Sequence, residues 1–379
     1  MKRSWSTTHE PWKVGVLFSR TGVTSVIEET QLRGTLLAID EINQAGGVNG
    51  REIVPIIYDP GSDAAAYATY AKHLMVDDEV TMIFGCYTSS SRKVVVPVVE
   101  RLNGLLWYPT LYEGFEYSPN VIYTGAAPNQ NSVALCSYLI KNYGRRFYFV
   151  GSDYIYPRGS NRLMRELLRS AGGEVVGETY LNLRAKRGDF GPVIRDIRHL
   201  MPDVIFSTVV GYGTVYLYQT YAECGLSPRT MPVASLTTTE AEVRAMGHDA
   251  AEGHITAASY FQSVGGDRNA AFVARYKQRH GDDEPTNMCA EAAYFQVHIF
   301  SAALGKTNSM ETDIIRGMVL GSDFEAPQGV VAISPMTSHT NLWTRIGRAN
   351  RRGQFDVILQ SQAPIWADPY MVGFGHTPA

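Results

Sequence analysis

The sequence predicts an α/β protein made of two doubly wound parallel-sheet lobes, and three observations predict it. Strand-like and helix-like segments alternate from the first apolar run onward, which is the signature of a parallel sheet covered by helices. The alternation restarts after about residue 130. The 379 residues also exceed what one ordinary core accommodates. A hydrophobic fraction of 45% against 19% charged residues excludes a disordered chain.

Lys13–Phe18 is short, apolar and rich in β-formers, so it reads as the first strand. Glu28–Ala45 carries Leu32, Leu36, Leu37, Ile39 and Ile42 at helical spacing and stops at Gly46-Gly47. Glu52–Tyr58 is a strand, Asp63–Val76 a helix, and Val80–Gly85 a strand. Ser89 or Ser90 is expected to cap a helix running to Leu102, with Leu105–Tyr108 as the next strand. The second series runs through helix Asn131–Tyr143, strand Arg146–Val150 and helix Asn161–Ala171. It continues through Glu174–Leu181, Phe190–Leu200, Val204–Val209, Thr214–Cys224, Pro232–Leu236 and Glu240–Met246.

The tail differs. Three helices follow in near succession, Asn269–Arg279, Met288–Leu304 and Thr312–Val319, and then β-rich segments at Gly329–Ile333, Leu342–Arg348 and Phe355–Gln360. A stretch that is half helical and half β cannot simply extend either lobe. The economical path returns to the first lobe for the helices and finishes on the second. The expected lobes are therefore 12–125 plus 261–335 and 126–260 plus 336–379. Crossings near Gly125–Asn129, Ala257–Phe261 and Pro335–Leu342 would make a three-strand hinge.

Several function classes lose support. A net charge of -3 gives no global attraction for nucleic acid, and the Arg348, Arg351, Arg352 cluster sits in an expected hairpin turn. No run approaches the ~20 apolar residues of a membrane helix. The N-terminal stretch through Phe18 has basic residues but no apolar h-region behind them, so a secretory signal is not expected. Cys86, Cys136, Cys224 and Cys289 are widely spaced and read as reduced, buried thiols of a cytoplasmic protein, or of a periplasmic one whose leader has been removed. No phosphate loop, metal-ligand spacing or cofactor motif occurs, and neither a metal nor a cofactor is expected. Ser90 to Lys93 matches Ser-x-x-Lys without its companion motifs, and Cys86 has no base beside it, so the chain reads as a binding protein and not an enzyme. Glu113, Glu116, Asp153 and Glu240 read as solvated or capping carboxylates, with no acid/base spacing.

The carboxyl ends of the strands carry the polar chemistry. They hold Cys86 to Ser91, Pro109-Thr110, Gly151 to Tyr154, Gly211 to Gly213 and Thr237 to Thr239. Open α/β sheets bind ligands beyond these ends. Hydroxyls both donate and accept, and a helix N-terminus offers free N–H groups, so the set suits a small neutral ligand bearing donor and acceptor together.

At these same loops the sequence resembles a known family. FGCYTSSSRKVVVPVVERLNGLLWYPTLYEGFEYSPNVIYTGAAPNQNS (Phe84–Ser132) and GSDYIYPRGSN (Gly151–Asn161) are similar to the amide/urea branch of the type I periplasmic-binding-protein fold, nearly end to end. Two members of that branch matter. One is the amide-sensing negative regulator of bacterial aliphatic amidase operons; the other is the urea or short-chain amide substrate-binding protein of an ABC transporter. LFSRTGVT from Leu17, STVVGYGT from Ser207 and ASLTTTEAEV from Ala234 resemble the sensor, whereas Trp107, the AMG at Ala245 and YFQSV from Tyr260 resemble the transport receptors. Leu111 stands where the sensor pattern has proline.

The resemblance implies a ligand cage of Tyr87, Ser89, Tyr108, Thr110, Tyr154 and Thr237. In it Ser89 and nearby N–H groups would hold an amide carbonyl. Tyr154, Thr110 and Thr237 would receive the NH2 hydrogens, and the rings of Tyr87 and Tyr108 would form walls. For the sensor, the resemblance also implies an RNA-binding antiterminator as partner. It leaves self-association open.

Overall fold

The structure, a computed structural model, describes residues 10–373. Positions 1–9 of the N-terminal stretch and 374–379 of the expected second lobe lie outside the described residues. The first lobe opens with β1 (Trp12–Leu17), α1 (Ser25–Gln44), β2 (Ile53–Tyr58), α2 (Ala64–Val76), β3 (Met82–Gly85), α3 (Ser89–Arg101), β4 (Leu105–Tyr108) and β5 (Val121–Tyr123). Its five strands are all parallel, in the order β2-β1-β3-β4-β5. The central strands β3 and β4 are buried along their whole length, as strands covered by helices on both faces must be.

The second lobe holds α4 (Ser132–Asn142), β6 (Arg146–Ser152), α5 (Ile155–Ser170), β7 (Glu174–Leu181), α6 (Phe190–Leu200), β8 (Val204–Thr208) and α7 (Tyr212–Glu223). It continues with β9 (Val233–Ser235), α8 (Glu240–Met246), α9 (His248–Ala251) and β10 (Ile255–Ala258). The tail supplies α10 (Asp267–His280), α11 (Met288–Thr307), α12 (Thr312–Val319), β11 (Asp323–Ala326), β12 (Gly329–Ile333), β13 (Thr340–Asn341), β14 (Arg345–Ala349) and β15 (Phe355–Gln360). Strands β14 and β15 extend the second sheet antiparallel, in the order β15-β14-β10-β9-β8-β6-β7. Strands β11 to β13 form a small antiparallel sheet.

Each large sheet reverses its winding once, between β1 and β3 and between β6 and β8, so the two crevices that a doubly wound sheet offers fall at corresponding places. Helix α11 packs along α1. The approach is close because Gly34 has no side chain: a Cβ there would fall 2.2 Å from the Ala290 carbonyl oxygen. Between the sheets the chain passes through 124–131, 259–266 and 342–344.

Some expected boundaries move. Thr88, not Ser89 or Ser90, caps α3: its backbone is extended and its Oγ1 accepts from Ser91 N at 3.1 Å. Ser89 is thereby drawn into the first turn. Helix α5 begins at Ile155 rather than Asn161, because Pro157 falls in a first turn where a missing N–H costs nothing. The short strands β5, β10, β11 and β13 escape a reading based on period, being two to four residues long. No helix among the described residues is long and apolar enough to cross a membrane.

Candidate functional site

The turn after β3 sets up the first wall. Cys86 holds a left-handed φ of 70°, uncommon for a side-chain-bearing residue, and this turns the chain sharply into Tyr87-Thr88-Ser89 and helix α3. Ser89 is 1% exposed. Its hydroxyl donates to Glu113 Oε2 and accepts from Arg92 Nη1 at 3.2 Å. Arg92 Nη2 lies 3.4 Å from Glu113 Oε1, its Nε donates to Glu116 Oε1 at 2.6 Å, and Lys93 Nζ reaches Glu116 Oε2 at 2.7 Å.

Arg92 is fully buried, with its guanidinium 4.8 Å from the Tyr108 ring centre and 4.6 Å from that of Tyr112. Two cations meet two carboxylates here, so the cluster is electrically neutral. Glu113 is buried, which corrects the solvated reading; Asp153, by contrast, is exposed and pairs with Arg158 at 2.7 Å.

Tyr108 and Thr110 are also committed. Tyr108 Oη donates to the Tyr87 carbonyl at 2.8 Å, and its ring packs among Tyr112, Tyr123 and Arg92. Thr110 Oγ1 donates to the Cys86 carbonyl at 3.3 Å and receives Gln31 Nε2 at 2.8 Å. Thr110 therefore already holds a primary amide, that of Gln31. Burial pushes the Cys86 thiol up, despite Arg92 nearby.

The second wall is less complete. Tyr154 is half-buried at the end of β6, with its ring centre 6.2 Å from that of Tyr156. Tyr156 Oη is buried and makes no well-formed hydrogen bond, the Ser160 side chain being its one polar influence from the same helix. On α8, Glu240 Oε1 accepts from Gln262 N at 2.8 Å, whereas its Oε2 is buried and unpartnered. Glu242 Oε2 accepts from Thr239 in a capping box, whereas its Oε1 is buried and unpartnered. Burial raises Glu240 to about 8 and Glu242 to about 7. From the first lobe, Glu28 is likewise raised to about 7 by burial. All three carboxyls act electrostatically on Cys289, whose thiol is pushed up first by burial.

Across the interface, Tyr87 lies within electrostatic reach of Glu242, Tyr154 and Tyr156, and Tyr154 within reach of Tyr108, Glu113 and Arg92. Of the six expected residues, the fold thus gathers Tyr87, Ser89, Tyr108 and Tyr154 around one locus. Thr110 lies just behind it, on Gln31. Thr237 stands at the end of β9, where its Oγ1 donates to the Val209 carbonyl at 3.0 Å; no hydrogen bond links it to the other five. Tyr108 departs from its expected part, since its ring packs into the core rather than forming an open wall.

The Ser89 hydroxyl is turned around as well. Its one hydrogen goes to Glu113, so toward a ligand it can only accept. Sequence reasoning missed Gln31, Tyr156, Glu242 and Cys289. The only signal for any of them was the Tyr154–Tyr156 spacing directly after a strand.

The lobes meet around this locus. Gly211, with φ +62°, brings α7 against the loop after β1, and Tyr212 N donates to the Val23 carbonyl at 3.1 Å. A Cβ on Gly211 would fall 2.2 Å from that oxygen. Arg244 pairs with Glu284 across the mouth at 2.7 Å. Among the described residues no cluster of three or more potential metal ligands occurs, and all four cysteines are free.

Comparison with known proteins gives a family and a fold. A family model for the periplasmic binding protein domain matches residues 12–374. The leucine-, isoleucine-, valine-, threonine- and alanine-binding protein of Pseudomonas aeruginosa is 24% identical over 331 residues, 86% of each chain. A 126-residue stretch is 32% identical to a Geobacillus stearothermophilus protein named limonene hydroxylase, but it spans only 33% of this chain and 23% of that one. Among solved structures, the solute binding protein of an ABC transporter from Rhodopseudomonas palustris, in complex with 3,4-dihydroxybenzoic acid, matches with a TM-score of 0.84 at 22% identity. That match covers 93% of this chain and 98% of the other. The branched-chain amino acid transporter substrate binding protein of Streptococcus pneumoniae, in complex with isoleucine, matches at 0.80 and 18%, covering 93% and 99%. At such identities the likeness shows the fold.

Proposed function

The chain belongs to the periplasmic binding protein family, and from that premise we propose that it is a receptor whose lobes close over one small neutral ligand, a short-chain amide or urea. No bond of the ligand is made or broken. One observation carries the reading: buried, unspent polar atoms of the second lobe, Tyr156 Oη and Glu242 Oε1, stand across from an electrically neutral first wall. Leaving such atoms unpaired costs about 1–3 kcal/mol each, and a guest with both N–H and C=O groups would satisfy them.

Size argues for full enclosure. At about 1.5 kcal/mol per heavy atom at best, a ligand of acetamide's size gains only about 6 kcal/mol, a Kd on the order of tens of micromolar. Contacts from both walls are needed to reach even that, and they exist only in the closed arrangement. Ligand binding then favours closure by the extra contacts made there.

Delivery to an ABC permease is the role we place first, since structural neighbours carry transport names. Sensing for an amidase operon through an antiterminator is the second, and it rests on the segments from Leu17, Ser207 and Ala234. Calorimetry with acetamide, propionamide, butyramide, urea, leucine and benzoate tests the ligand. Heat with the first four is expected; heat only with leucine or benzoate would overturn the amide reading. Permease and ATPase genes beside this gene, as against amidase and antiterminator genes, separate the two roles.

A further inference from the structure

We infer that Glu113 is a positioning residue that locks the Ser89 hydroxyl as a hydrogen-bond acceptor toward the ligand, so that the site selects guests that donate an N–H. The inference rests on the receptor reading above and fixes which end of the ligand faces α3. A serine hydroxyl has one hydrogen and two lone pairs. Here the hydrogen is given to Glu113 Oε2 and one lone pair takes Arg92 Nη1 at 3.2 Å, which leaves a single lone pair. Glu113 cannot let go without cost. It is buried, its other oxygen lies toward Arg92 Nη2, and Arg92 is itself held by Glu116 and the rings of Tyr108 and Tyr112.

Helix α5 closes directly on this relay: a Cβ on Gly159 would lie 2.8 Å from Glu113 Cβ. The relay therefore sits at the lobe interface, beside a cavity of about 580 Å³ that Lys93 and Glu113 line together with Ile155 and Gly159 of the opposing helix. Turning the Ser89 hydrogen toward a ligand carbonyl would strip a buried carboxylate oxygen of its partner, a penalty of roughly 10- to 100-fold in affinity. A guest that presents N–H to Ser89 avoids that penalty. A guest that presents only lone pairs incurs it, whatever its charge. The carbonyl end of the ligand is left for Tyr87 and Tyr154, whose hydroxyls have no hydrogen-bond partner among the described residues.

The test compares acetamide and urea with acetone, a neutral molecule of the same shape that has no N–H, by ligand-observed NMR titration. Wild type is expected to prefer the N–H donors by at least ~10-fold over acetone. In Glu113→Gln the relay no longer demands the Ser89 hydrogen, and that preference should shrink by about 10-fold. An unchanged preference in a Glu113→Gln protein that still binds overturns the inference, because a merely structural Glu113 would not set the ratio.

Should Glu113→Gln fail to melt cooperatively, Ser89→Ala decides. Loss of the lone pair should weaken acetamide or urea by about 10-fold and leave acetone unchanged, and equal binding of the N–H donors overturns the inference. Wild type that binds neither acetamide nor urea defeats the receptor reading itself. Wild type that binds them with no preference over acetone defeats only the role of Glu113.

Discussion

The two walls of the site spend their polar groups differently. On the first lobe Ser89, Tyr108 and Thr110 have every hydroxyl hydrogen committed within the lobe, and Arg92 ties Glu113 and Glu116 together behind them. On the second lobe Tyr156, Glu240 and Glu242 each keep a buried oxygen without a partner. Apart from the Tyr87 hydroxyl and the Gln31 side-chain oxygen, the first wall's polar groups are paired within the lobe, whereas the second wall keeps three buried oxygens unpaired. A wall of the first kind sets orientation and specificity. A wall of the second kind supplies the drive to close, because its orphaned groups gain most from a guest.

The strongest way to break this contrast is Arg92→Met. The buried Glu113 would lose its cation and the half-buried Glu116 one of its two, and the unfolding free energy in guanidinium chloride should fall by about 3–5 kcal/mol. Unfolding at the wild-type denaturant concentration would mean that ion pairing does not hold the first wall.

Next in size is the pH response of the ligand-free protein. Folding raises Glu240 to about 8 and Glu242 and Glu28 to about 7, from the ordinary carboxyl value of 4.5. A raised carboxyl favours the protonated form in the folded state. Its contribution is therefore fully present below pH 4.5 and is lost as pH rises through about 7 to 8. The melting temperature should fall steadily from pH 5 to 8, and Glu242→Gln should flatten the decline by removing one group's share. A melting temperature that rises over that range would sink the assignment.

The smallest and sharpest test pairs one hydroxyl from each wall. Tyr108→Phe removes the bond to the Tyr87 carbonyl and should cost about 1 kcal/mol of stability. Tyr156→Phe removes a hydroxyl that has no partner, so stability should hold or rise slightly while ligand affinity falls by about 10-fold. Thermal melts and titrations of the two variants side by side check this. Equal stability losses would erase the difference between the walls.

Much of the fold was legible in the chain because both of its signals are local. Apolar spacing marked α1, α11 and α12, glycine pairs marked the ends of α1 and α5, and polar residues directly after β3, β4 and β6 marked the strand ends. That rule marked the loops that hold Tyr87, Ser89 and Tyr154, and the family resemblance singled out these residues within them. Strands as short as β5 and β13 carry no measurable period, and the start of α5 was obscured by Pro157, which reads as a breaker unless it is known to fall in a first turn.

By itself, then, the sequence determined the alternation of strands and helices, the second lobe, and which hydroxyl-bearing residues stand at the strand ends. Tertiary structure alone decided what those hydroxyls do. Ser89 finds Glu113 24 residues away, and Thr110 finds Gln31 79 residues away. A hydroxyl is donor and acceptor at once, and its role is settled only when a distant partner takes its single hydrogen.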